Sequence, residues 1–400
     1  YNKHYGDLMV GTIDQQLEPE WYYPDGVPSD GKVVAGPSGP RGGVKKAGAD
    51  VGTHTAIAVD QKGNLHVFYR ATDNSVLKYA RGTKGSEGYT FETMELEKKG
   101  ETGLYTSAAV VDGTVHAVFG IKNVDVTIDG TTMQGSQIRH VSFPAETAFG
   151  QLSPKTEVVH ASGPNNPCGK CTGAKFCFTG MDSCAEPTSD CGGGCGDGQK
   201  CLSGSCEAIY TAPSTPAHRL MTGLYNEVVP AGNGDLVIVF YNHIDRRIGW
   251  ISGSTGSWDK PQYLDSPSGP YAAGAVDSNG KLHLAYMDPT TKSLRYRAPG
   301  GNSEETVADG TRDTSGEYLV ANIGQDVDLS LDSNGNPRVT YQDATRHIFY
   351  EATRSGMGNW QNNALAKPDA QGSYSGAHGF YSANVDPEAN ISVEYVIDQQ

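Results

Sequence analysis

Short apolar runs alternate with clusters of Gly, Asn and Asp along nearly the whole chain. Leu65-His66-Val67-Phe68-Tyr69 follows Asp60-Gln61-Lys62-Gly63-Asn64. Leu282-His283-Leu284-Ala285-Tyr286 follows Asp277-Ser278-Asn279-Gly280, and Arg338-Val339-Thr340-Tyr341 follows Asp332-Ser333-Asn334-Gly335. Asn and Gly between alternating runs predict hairpins, because both tolerate positive φ. A third run follows each pair: Val76 to Tyr79, Ser293 to Tyr296, and His347 to Tyr350. A weaker fourth lies near Trp258 and near Trp360. No stretch sustains a helical period.

A short Gly element opens each group of runs and recurs six times. The copies are Gly52 to Thr55, Gly103 to Thr106, Gly223 to Asn226, Gly269 to Ala272, Gly324 to Val327 and Gly376 to Gly379. Their third residues are His54, Tyr105, Tyr225, Tyr271, Asp326 and His378. Most intervals between them fit three or four antiparallel strands repeated about every 50 residues, the signature of a β-propeller blade. The one long interval, Tyr105 to Tyr225, holds a cysteine-rich stretch. The segments before Gly52 and after His378 together amount to one more blade. Closure by strands from both ends would remove the edge that otherwise aggregates. The expected fold is an all-β, six-bladed propeller closed by both termini. Seven blades, one of them incomplete, is the alternative count.

Composition narrows the class. Asp and Glu number 46 against 31 Lys and Arg, for a formal net charge of −15. That balance opposes binding to phosphate backbones and excludes nucleic acid as a partner. No apolar run approaches the roughly 20 residues a membrane-spanning helix needs. The chain begins at Tyr1 without a visible signal peptide, which reads as a processed or trimmed form.

All eight cysteines fall in one stretch: Cys168, Cys171, Cys177, Cys184, Cys191, Cys195, Cys201 and Cys206. An even number in a Gly-, Ser- and Asp-rich segment predicts a disulfide-stapled module made in an oxidising compartment. Two four-cysteine zinc sites are the rival, from the Cys168-x-x-Cys171 spacing, but no second C-x-x-C accompanies it. The organisation expected is propeller over 1–164, a disulfide-rich insertion over 165–210 and propeller again over 211–400. Location is secreted, periplasmic or on the outer cell surface.

The runs resemble the D-x-N-G-x-x-H-x-x-Y repeats of secreted bacterial β-propellers. They do not match the sialidase S-x-D-x-G-x-x-W box. The stretch Cys195 to Cys206 resembles short cysteine repeats of secreted myxobacterial proteins. Neither resemblance implies a specific activity.

In a propeller the first strand of each blade lines the central channel, and residues two apart on a strand share a face. The third residues of the Gly elements are therefore expected to form one ring. Ala56, Ser107, Glu227, Ala273, Asp328 and Phe380 form the next layer. His54, Asp326 and His378 would sit on consecutive blades, a ligand set suited to a transition metal. A Ca ion in the channel is the other cofactor considered. Tyr105, Tyr225, Tyr271, Glu227 and Asp328 line the rest. Polar side chains and water can also plug such a channel without any metal. His66, His116 and His283 share an equivalent position and read as packing or turn contacts.

No nucleophile elbow, Walker loop or dinucleotide fingerprint is present. The expected role is binding: an extracellular or envelope scaffold or adhesin whose partner is a protein or glycan at the cell surface. The alternatives are a metal-dependent enzyme at the His/His/Asp site, or a glycan-active hydrolase or lyase using Glu227, Asp326 and Asp328. No catalytic residue is assigned.

Overall fold

Residues Leu8–Ile13 (β1) pair antiparallel with Pro19–Asp25 (β2) in a two-stranded sheet. Val51–Val59 (β3), Leu65–Ala71 (β4), Val76–Gly85 (β5) and Gly88–Glu97 (β6) then form a four-stranded meander. Glu101–Val111 (β7), Thr114–Ile128 (β8), Thr131–Pro144 (β9) and Thr156–Ser162 (β10) form the next. A small hairpin, Gln199–Leu202 (β11) and Ser205–Ala208 (β12), intervenes. The third meander is Leu224–Gly232 (β13), Asp235–Asn242 (β14) and Arg247–Ser254 (β15), with an outer strand in two pieces, Ser257–Trp258 (β16) and Gln262–Tyr263 (β17). Pro261 lies between the pieces and has no N–H to give to a ladder. Ala272–Val276 (β18), Leu282–Asp288 (β19), Ser293–Arg297 (β20) and Glu304–Ala308 (β21) form the fourth. Ile323–Leu331 (β22), Pro337–Asp343 (β23), Ile348–Gly356 (β24) and Asn359–Ala366 (β25) form the fifth.

These strands belong to a computed structural model that describes residues 1, 6–13, 19–27, 48–128, 131–163, 173–176, 178, 184–209, 221–265, 267–300, 304–310, 322–346 and 348–366. The first strands β3, β7, β13, β18 and β22 lie side by side in that order. The chain is a six-bladed β-propeller: five full blades, with the β1–β2 hairpin in the sixth position. His378, Phe380 and the C-terminal runs fall outside the described residues, as do Cys168, Cys171 and Cys177.

The core lies between blades. One cluster joins Ile138 of β9 to Val228, Ile238, Phe240 and Ile251 of the next blade. Another joins Tyr296 and Leu294 to Val339 and Tyr341. Polar clasps cross the same seams. Glu157 accepts from Gly256 N (2.9 Å) and Trp258 Nε1 (3.0 Å) of the next blade. Glu305 accepts from Gly358 N (2.9 Å) and Trp360 Nε1 (3.0 Å) of its neighbour, and also pairs with Arg354.

The turns after the first strands differ in detail from an Asn-Gly hairpin. Asp60, Asp277 and Asp332 each accept two backbone amides through Oδ1, and only the Gly three residues on takes positive φ. This is a longer turn capped by an Asp side chain. Asp112-Gly113, with both residues at positive φ, makes the tight two-residue version. The equivalent histidines are packing contacts. His66 bonds Tyr79 OH (2.7 Å) and His283 bonds Tyr296 OH (2.5 Å), while His116 Nδ1 lies 3.0 Å from His140 Nε2.

In the insertion, disulfides join Cys191 to Cys201 of β11 and Cys195 to Cys206 of β12, tying the loop before the hairpin to both of its strands, and Cys184 is also disulfide-bonded. Sulfurs used in this way cannot serve as zinc thiolates. No helix among the described residues is long and apolar enough to cross a membrane.

Candidate functional site at the hub

In β3, β7, β13 and β22 the first strand carries the Gly element near its start, and its backbone departs from a regular strand there. Gly52, Gly103, Gly223 and Gly324 all have positive φ. So do the third residues: His54 (50°), Tyr105 (50°), Tyr225 (51°) and Asp326 (46°). The ladders skip at these points, between Thr53 and Ala56, Leu104 and Ser107, Leu224 and Glu227, and Gln325 and Asp328. A β-bulge therefore turns the third side chain out of the sheet, as bulges near functional sites commonly do. A non-Gly residue in this region costs about 1–3 kcal/mol. Tyr271 follows Pro270 and needs no left-handed backbone.

The bulges bring the ring together. The centroids of His54 and Tyr105 are 4.9 Å apart, those of Tyr105 and Tyr225 4.8 Å, and those of Tyr225 and Tyr271 5.1 Å. Side-chain hydrogen bonds link Tyr225 to Tyr105 and to Tyr271. Burial, then the charge of Tyr225, pushes the Tyr105 phenol up to about 12. Burial first raises Tyr271 as well, and Asp326 adds to that shift, so Asp326 closes the arc beyond Tyr271. Burial lifts the Asp326 carboxyl to about 6. The Tyr105 and Tyr271 phenols thus keep their protons at neutral pH.

His54 Nδ1 accepts the backbone N–H of Tyr105 at 3.2 Å. The neutral ring must then carry its proton on Nε2. A histidine that ligates a metal through Nε2 instead donates Nδ1–H to its support. Among the described residues, the clusters with metal-ligand spacing are two cysteine groups whose sulfurs are in disulfides, and neither lies at the hub.

The next layer reaches forward to the neighbouring blade. Ser107 Oγ accepts from Val228 N (3.0 Å) and Glu227 Oε2 accepts from Gly274 N (2.7 Å). Burial, followed by the Asp328 charge, pushes the Glu227 carboxyl well above the usual range. Ala56 and Ala273 fill the equivalent place with a methyl group. The sequence pattern missed Asn226, whose Nδ2 donates to Gly223 O and Tyr105 O, both at 2.9 Å, and so ties two ring positions together. Only its place next to a ring tyrosine could have flagged it.

Topology puts more chain at this end. In each meander the ring lies at the same end as the turn between strands two and three. β8 and β9 continue past Lys122, the partner of Glu101 at the start of β7, to Ile128 and Thr131. The cysteine-rich insertion departs from the same end, after Ser162 of β10.

No protein-family model matches the chain, and no curated protein matches it. Solved structures similar to it include the fucose-specific lectin from Aleuria aurantia, at 14% identity, covering 92% of each chain with a TM-score of 0.42. The Hadza microbial sialidase Hz136 is similar at 10% identity over 90% of this chain and 59% of that one, with a TM-score of 0.42. An α-L-arabinofuranosidase from Lactobacillus brevis is similar at 9% identity over 79% and 91%, with a TM-score of 0.31.

Proposed function

We propose that this protein is an extracellular recognition propeller that binds a carbohydrate at the ring end of its hub. The observation that carries the reading is the contiguous arc His54, Tyr105, Tyr225, Tyr271, held by left-handed backbone at three of its positions. Backbone strain repeated at equivalent points is a reason to look for function there. The arc combines aromatic faces, phenol hydroxyls and an imidazole N–H, with the Asp326 carboxyl beside it. Such a mixture suits a neutral ligand with many hydroxyls, and aromatic walls with a few placed polar groups are the usual lining of a binding site. The net charge of −15 disfavours polyanions. The disulfides fit an oxidising compartment.

The test is titration calorimetry after a screen of neutral glycans, with wild type, Tyr225→Phe and Tyr225→Ala. A glycan that binds wild type should lose on the order of tenfold with Phe, about the worth of one hydrogen bond. It should lose nearly all binding with Ala. Binding unchanged in Tyr225→Ala would move the site away from the hub.

A further inference from the structure

We infer that the seam between the second blade (β7–β10) and the third (β13–β17) is a proton-operated latch, held closed at neutral pH by His116, His140 and Glu157 and loosened by acid. The inference is independent of what the hub binds.

The latch is a chain of three side chains on adjacent strands. His140 Nδ1 lies 2.8 Å from Glu157 Oε1, and His116 Nδ1 lies 3.0 Å from His140 Nε2. A carboxylate only accepts, so His140 carries its proton on Nδ1. With that ring neutral, Nε2 accepts, and His116 donates its own Nδ1–H to it. Both donors thus point toward Glu157. The carboxylate also takes Gly256 N and Trp258 Nε1 of the third blade, and the Trp258 ring meets His140 edge-on with centroids 5.2 Å apart.

His140 is fully buried and His116 nearly so. Val118, Ile138, Val228, Ile238 and Ile251 form one apolar cluster across the seam, with Trp258 and Tyr263 packed against it. The charges that act on the pair are each other and Glu157. On the same side, His160 of β10 meets Phe240 of β14, with centroids 6.1 Å apart, and feels Asp245. Arg139 turns the other way and pairs with Glu97 of the first blade. Burial raises the Tyr263 phenol, which stays neutral.

Acid therefore has a defined cost here. An extra proton on either ring puts a cation in an apolar seam, and one on each puts two cations in contact beside a single carboxylate. Burial lowers all three histidines, and His116, which also feels His140, falls to about 4. The unfolded chain takes up these protons near 6.5. The seam's stability is thus complete above that pH and is lost as pH falls toward 4.

The matching seam between the fourth and fifth blades is built differently. Val118 pairs with His140 as Phe68 pairs with Tyr79 and Ala285 with Tyr296, so His140 stands where the first and fourth blades carry tyrosine. Glu305 matches Glu157 but pairs with Arg354, which keeps its charge at any working pH. Arg354 is opposite Trp360 in its ladder, as Gly253 is opposite Trp258. A Cβ on Gly253 would meet Ser257 O at 2.3 Å, so the third blade supplies no guanidinium from that position. His283 lies in the fourth blade, bonded to Tyr296, so that seam gains one charge in acid and not two in contact.

The latched seam also carries the ring. Asn226 Nδ2 reaches Tyr105 O across it, and Ser107 Oγ accepts Val228 N. Loosening it separates Tyr105 from Tyr225.

Hydrogen exchange by mass spectrometry on the full chain, at about pH 7 and about pH 4.5 and corrected for intrinsic rates, reads both seams. On acidification, protection in β9, β10 and β15 should fall on the order of tenfold more than in β20, β21 and β24. His140→Tyr, which copies the first and fourth blades, should bring the two seams to the same loss. His116→Gln, which keeps a donor for His140 without a titrating ring, should act in the same direction. The comparison between seams in wild type stands even where a variant fails to fold. Equal losses at both seams in wild type would overturn the inference, as would the full excess loss persisting in folded His140→Tyr.

Discussion

His54 Nδ1 accepts the backbone N–H of Tyr105 at 3.2 Å, across the seam between two blades. This bond fixes the tautomer and decides what the imidazole can offer the channel. His54→Ala should remove one hydrogen bond, about 1 kcal/mol of stability. Elemental analysis of wild type and His54→Ala should give the same transition-metal content. Loss of one metal equivalent in the variant would instead make His54, Asp326 and His378 a ligand set, with His54 turned away from the Tyr105 amide.

Asp326 should make the fold less stable as pH rises. Its native pKa, about 6, lies above the ordinary 3.8 because burial penalises the charged form. The folded state therefore binds this proton more tightly than the unfolded chain. Stability associated with Asp326 is complete below pH 4 and is lost as pH climbs through 6. The gap of two units corresponds to at most about 3 kcal/mol, less where channel water screens the charge. Denaturant titrations from pH 4 to 7 should show this decline in wild type and a shallower one in Asp326→Asn. Burial, then the Asp328 charge, shifts Glu227 in the same direction, so Glu227→Gln should also gain on wild type as pH rises above the usual carboxylate range.

Glu305 is nearly buried and receives Trp360 Nε1, Gly358 N and Arg354 from the following blade. Glu305→Ala leaves the Arg354 guanidinium in the seam without its carboxylate. Removing one member of such a pair costs about 3–5 kcal/mol. A lower thermal midpoint should accompany altered Trp fluorescence as Trp360 loses its anchor. Glu305→Gln should be milder, because the amide oxygen can still accept from the indole.

Gly223 combines positive φ with contact against Ile138. Gly223→Ala should destabilise through both the left-handed backbone and the 2.7 Å approach to Ile138 Cγ1. Gly113→Ala shares the positive φ but meets nothing within 4 Å, so it should cost less. Equal losses of melting temperature in the two variants would refute the packing contribution.

Each mapped disulfide closes a short loop, with separations of 10 and 11 residues, and should stabilise the insertion by about 3 kcal/mol through chain entropy. Mild reduction should raise protease sensitivity around β11 and β12 while the far-ultraviolet β signal persists. Loss of the whole β signal would mean that the propeller depends on the insertion.

Much of the architecture was legible because it is written locally. Alternation placed β4, β19 and β23, and Gly with Asp or Asn placed the turns before them. The hub was only half legible. Equivalent positions marked His54, Tyr105, Tyr225, Tyr271 and Asp326 as a set, but strict alternation misjudged how they get there. Bulges at four positions, not a regular pleat, turn them inward. The clasp from Glu157 to Trp258 joins residues about 100 positions apart and has no local signature.

The amino-acid order by itself determined the unit: strand lengths, turn chemistry, the recurring Gly element and the cysteine block. These depend on side-chain period and on φ preferences over a few residues. Tertiary structure alone decided which ring nitrogen of His54 bears the proton, that Asn226 braces two ring positions, and that Glu227 and Asp328 share one charged environment. Those outcomes come from side chains of different blades meeting at an axis, where burial and neighbouring dipoles act over distances no local pattern encodes.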